Sequence, residues 1–239
     1  SLNWVAETYR GMATGFDRPG GKTPEKAKDY YAKADKAYDT ILKMIEEKKV
    51  EAPEGAVTSI HIRQARCLRR MGQYMDALNL LKAILRERNM VIDAQLEAAY
   101  TYQDWGRENS LGYDVAIKGK YEPKGDEKYF YVVWGWGKMA KKVMRSEPHR
   151  NIFHEARYNL ALCRFKMALN PPAKYKSQKS QLLDRAEQDV LIIQNLFPKM
   201  GGEEWYTKYD ELLKDIQETQ GKKRTGLKAT ESTTASRSG

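Results

Sequence analysis

Arg63, Arg66, Arg69 and Arg70 fall within eight residues of one another. Spacings of three and four set Arg63, Arg66 and Arg70 along one side of a helix. Guanidinium groups held this close repel one another unless negative charge lies nearby, and each can grip a carboxylate or phosphate through two parallel N–H bonds. Two chemistries fit the pattern. The four arginines can clamp carboxylates or phosphates of a partner, or they can pair internally with acidic residues such as Asp93, Glu97 and Asp104 further along the chain.

Other reactive residues are sparse. His61, His149 and His154 are the three histidines; His149 and His154 lie five apart, a poor spacing for one helical face. No cysteine or carboxylate completes a metal set around them, so neither a metal nor a cofactor is expected. Asp17, Arg18, Gly20, Gly21 and Lys22 have the residue types of a phosphate loop but not the order of a Walker motif. These patterns point to a chain that is not an enzyme. Cys67 and Cys163 are far apart and belong to no C-x-x-C pair, so each reads as a small buried apolar residue.

The net charge of +10 admits nucleic acid, an anionic lipid surface or an acidic protein as partner. Lys174, Lys176 and Lys179, with Lys222, Lys223, Arg224, Lys228 and Arg237 towards the C-terminus, are the cations that phosphates would meet. Binding of that kind weakens steeply with salt. No stretch approaches the roughly 18–20 consecutive apolar residues that span a bilayer. The opening Ser1-Leu2-Asn3-Trp4 has neither an initiator Met nor an apolar signal core, as expected of a trimmed or processed chain, and leaves the compartment unspecified.

The elements that must carry these residues show in a small–large–small signature. It occurs as Ala6, Tyr9 and Ala13; Ala65, Leu68 and Gly72; Ala99, Tyr102 and Gly106; and Ala161, Arg164 and Ala168. Successive steps are 59, 34 and 62 residues. A step near 34 is the mark of stacked helical hairpins, each burying one face against the next. The expected units are 1–52, 56–90, 91–147 with an insertion over 107–126, and 150–200. A terminal helix over 203–219 carries Trp205, Tyr209, Leu212, Leu213 and Ile216 on its apolar face. Within the third unit, the aromatic run 129–136 is expected in one helix over 127–146, either as core or as an exposed docking surface. The stretch 220–239 is basic and nearly free of apolar residues, so disorder is expected there.

Met71-Gly72-Gln73-Tyr74-Met75-Asp76-Ala77-Leu78 resembles the turn between paired helices of the tetratricopeptide repeats. Ala65 and Leu68 stand at that family's small and bulky first-helix positions. Tyr158-Asn159-Leu160-Ala161, and Ala186 and Val190 followed by Pro198, repeat the likeness near the end. His61 and Arg157 depart from it, standing where the family often has Trp. The resemblance implies an all-α fold, a right-handed α-α superhelix of about four hairpins closed by a C-terminal capping helix. It also implies a concave face of first helices that holds a peptide or a neighbouring subunit. On that register the partner-binding residues are Arg63, Arg66, Arg69, Arg70, Tyr100, Gln103, Tyr158 and Phe165. The expected role is a scaffold or adaptor for an acidic segment of a partner protein, compatible with a larger complex or a homo-oligomer. The alternative is a solenoid that binds RNA or an anionic surface through its basic loops and tail.

Overall fold

A computed structural model describes residues 2–18, 20–124 and 128–228. The fold is all-α apart from one pair of strands. It divides into two compact units, Ser1–Trp105 with Tyr121–Val133, and Gly106–Lys120 with Trp134–Gly239.

The first unit begins with α1 (Leu2–Phe16) and α2 (Glu25–Glu46), followed by α3 (Ala56–Arg70), α4 (Tyr74–Glu87) and α5 (Ile92–Trp105). Each helix packs on the next, and α3 also packs on α5. Small residues set these approaches: Ala6 and Ala13 of α1 meet Ala27 and Ala34 of α2 in one fully buried cluster, with Tyr31 and Tyr38 beside them. Ala65, Ala77, Ala94, Ala98 and Ala99 are likewise fully enclosed. Side chains without a γ-atom let helix axes approach to about 8–10 Å, and the larger Leu78, Leu81 and Leu85 fill the space around them. The stop after α3 is specified locally. Gly72 adopts φ +85, while its N–H and that of Gln73 bond the carbonyls of Arg69 and Leu68. A left-handed residue there closes the helix and turns the chain back into α4.

The second unit contains α6 (Leu111–Lys118), α7 (Gly135–Val143), α8 (Arg150–Leu169), α9 (Lys179–Leu196) and α10 (Glu203–Thr219). Helix α8 is its hub, packing on α6, α7, α9 and α10.

Two expectations need correction. The segment 127–146 is not one helix, because β2 (Lys128–Val133) pairs with β1 (Lys120–Lys124) before α7 begins. The composition of 129–133, β-branched and aromatic, prevails over the helical pattern that follows. Gly135 enforces the break: its φ is +65, and a Cβ there would lie 2.5 Å from the Gly119 nitrogen. The insertion 107–126 is not a bare linker either. It contains α6 and β1, and α6 buries Tyr113 and Ala116. Of the aromatic run, Trp134 and Trp136 are core, whereas Tyr129 is 75% exposed.

The chain beyond α10 also departs from expectation over its first residues. The Thr225 and Gly226 amides donate to Gln217 Oε1, the Leu227 amide donates to Asp210 Oδ1, and Leu227 itself is buried. Lys222 pairs with Glu187, and Arg224 pairs with Asp215. Side-chain acceptors on α9 and α10 thus hold a segment that has little apolar surface to bury. Residues 229–239, including Arg237, lie outside the described residues.

Candidate functional site

Helix α3 presents its arginines to carboxylates from three directions. Arg69 donates through Nε to Glu97 (2.6 Å) and through Nη1 to Asp104 (2.5 Å), both on α5. Arg70 grips Asp17 with two parallel bonds, Nε to Oδ2 at 2.6 Å and Nη2 to Oδ1 at 2.5 Å, and Tyr31 donates to the same carboxylate. Arg66 donates through Nε to the other Glu97 oxygen at 2.9 Å. Arg63 reaches Glu7 on α1 at 3.1 Å. The internal pairing that the spacing left open is therefore present. Glu97 is 1% exposed, and two guanidiniums satisfy its two oxygens. Burial by itself would raise the Glu97 pKa, but Arg69 and Arg66 outweigh it and hold the carboxyl below its ordinary value.

The four arginines divide into two classes. Arg69 and Arg70 are nearly enclosed, with four ion pairs to Glu97, Asp104 and Asp17. Arg63 and Arg66 keep side chains 39% and 44% exposed. Among the described residues the two Nη groups of Arg66 have no partner, because Nε alone holds Glu97. Tyr100 lies under Arg69, its ring 5.4 Å from the guanidinium, and Gln103 is buried on α5. The pairing of Asp17 escaped sequence reading: the residue stood out only as part of a would-be phosphate loop, and nothing in its neighbours marks it as the seat for an arginine 53 residues away.

Tyr158 and Phe165 come together in the second unit. They line a cleft of ≈ 370 Å³ between α8 and α10, floored by Leu162 and Leu212. Tyr158 stacks edge-on against Tyr209 (5.5 Å) and lies 5.9 Å from Trp205, and burial raises its phenol pKa. The rim has both signs, Lys166 and Lys208 against Glu211 and Asp215. Behind the cleft, Arg157 and Arg164 both reach Asp189 on α9, which is buried. Arg157 and Arg164 thus form a pair of cations facing one buried carboxylate. A larger open depression of ≈ 740 Å³ in the first unit is lined by Lys48, Glu51, His61, Glu87 and Arg88 among others, and it holds none of the expected binding residues.

His154 is enclosed beside Phe153 and Phe197, and its Nδ1 has no hydrogen-bond partner among the described residues. Burial, with Arg150 adding to it, lowers its pKa. Cys67 and Cys163 are both buried thiols. Among the described residues no group of three or more His, Cys, Asp and Glu is placed to hold a metal ion, and no helix is long and apolar enough to cross a membrane. No protein-family model, curated protein or solved structure matches the chain.

Proposed function

We propose that this chain is a tetratricopeptide-like scaffold that takes an acidic segment of a partner protein on its first-helix face. The observation that carries this reading is Arg66. Glu97 fixes its Nε, and its two Nη groups point away from any described partner on a side chain 44% exposed. A guanidinium oriented by one carboxylate loses less side-chain freedom on gripping a second, and the grip is bidentate. Arg63, three residues earlier, is a second cation with a side chain 39% exposed, its Nη1 already held by Glu7. The packing of α3 on α5 supports stacked hairpins in the first unit, because there one first helix lies beside another, and in the second unit α10 covers α8 as a terminal helix would. The cleft of Tyr158 and Phe165 adds an apolar seat for a partner side chain.

The test is selection of binders from a random peptide library, followed by titration against Arg63→Glu/Arg66→Glu. Selected peptides should be rich in Asp and Glu and should lose at least tenfold in affinity for the variant, with its helical content unchanged. Peptides without acidic enrichment, or with equal affinity for both proteins, would rule the reading out. Arg70 is unsuited to this test, since its bidentate grip on Asp17 belongs to the interior.

A further inference from the structure

Helix α7 and the turn after it carry Lys138, Lys141, Lys142 and Arg145 at spacings of three, one and three, which gather them on one helical side. Lys141, Lys142 and Arg145 are exposed, and among the described residues none has a carboxylate within ion-pair distance. Lys142 also lies over the Trp134 ring at 5.6 Å. The opposite side of α7 is buried through Trp136, Met139, Ala140 and Val143, so the cations cannot turn inward. Burial, reinforced by the neighbouring Lys142 charge, lowers the Lys138 pKa.

We propose that this side of α7 docks on the phosphodiester backbone of nucleic acid. It is a site distinct from the peptide-binding face above and does not depend on that reading. From Lys138 to Arg145 the chain rises about 10 Å, a length of duplex axis over which one strand carries about three phosphates at roughly 3.4 Å each. The stretch 138–145 contains no acidic residue, so its exposed side is complementary to an unbroken run of phosphates. The chain's own buried carboxylates do not decide the partner, since arginine holds Glu97, Asp104 and Asp189 and lysine holds Asp114. Three of the four cations on α7 are lysines, compact charges on flexible stems that meet phosphates without demanding planar geometry. No ring is exposed on α7 for bases to stack on, since Trp134 and Trp136 are core, so the contact reads backbone and not sequence.

The experiment is anisotropy titration of a labelled DNA duplex of arbitrary sequence over a range of salt concentrations. The proteins are the wild type, Lys141→Ala/Lys142→Ala/Arg145→Ala, and a charge-matched control, Lys36→Ala/Lys43→Ala/Lys199→Ala. The wild type should bind with a log–log salt slope of about −3, and the α7 variant should lose at least tenfold in affinity and roughly two to three units of slope. The control should bind as the wild type does, and Lys141→Arg/Lys142→Arg should retain binding. Equal losses in the α7 variant and the control would reduce the effect to net charge and overturn the proposal. So would failure of the wild type to bind, or α7-dependent capture of polyglutamate or phosphatidylserine vesicles in preference to the duplex.

Discussion

Helices α3 and α7 each bring four cations into eight residues at helical spacing, and the fold treats them in opposite ways. Around α3, Asp17, Glu97 and Asp104 converge from a loop and from α5, and the arginines become internal clasps between elements. Around α7, no described carboxylate pairs with Lys141, Lys142 or Arg145, and the charge stays at the surface. A run of cations in a sequence therefore says little about ligands until the positions of the acids are known. The useful quantity is the charge left after internal pairing. By that measure α3 retains the outer half of Arg66, since Arg63 pairs with Glu7, whereas Lys141, Lys142 and Arg145 keep their charge unpaired among the described residues.

The contrast breaks most sharply at Glu97. Glu97→Ala leaves Arg69 enclosed against Asp104 alone and should destabilise the protein by about 3–5 kcal/mol, read as a fall in urea midpoint. A loss under about 1 kcal/mol would mean that close helix packing, and not the clasp, joins α3 to α5. Ala65→Leu tests that packing directly: the site is fully buried, and overpacking should cost about 1–3 kcal/mol in thermal or urea unfolding.

Acid titration of stability should separate the two units. His154 has a folded pKa below its ordinary 6.5, so its contribution is complete above that value and declines as the pH falls beneath it. Glu97 has a folded pKa below 4.5, so the α3 clasp holds until the pH falls through that lower range. Hydrogen exchange should show α8 loosening at a higher pH than α5, and His154→Leu should abolish the earlier step. Simultaneous loosening would refute the assignment. The smallest effect belongs to α7: the Lys141/Lys142/Arg145 triple alanine variant should shift stability by no more than about 0.5 kcal/mol, because exposed unpaired cations hold nothing together.

Sequence reading recovered what short-range pattern encodes. The helices α1–α5 and α8–α10 follow from apolar residues recurring three and four apart, and the turn after α3 follows from Gly72. It missed β2 because 129–133 runs into a helical pattern with only Gly135 between, and the need for glycine there comes from Gly119, remote in sequence. It missed α6 because an eight-residue helix offers too few turns for a period to show. For the candidate site, the arginines were legible as a cluster, and Glu97 and Asp104 as conceivable partners, but their division into buried and half-exposed depended on Asp17, whose pairing spans 53 residues. The cations of α7 were not singled out, because sequence alone does not show that no described carboxylate pairs with Lys141, Lys142 or Arg145.

The two thiols offer a consequence of a different kind. Cys67 is fully enclosed in the first unit, where burial pushes its pKa to about 12, and Cys163 is fully enclosed in the second. An alkylating reagent meets neither until the surrounding helices part. Each unit therefore contains a built-in clock: pulsed alkylation followed by peptide mass spectrometry would time the opening of the two halves separately, in the wild-type chain and without an added label.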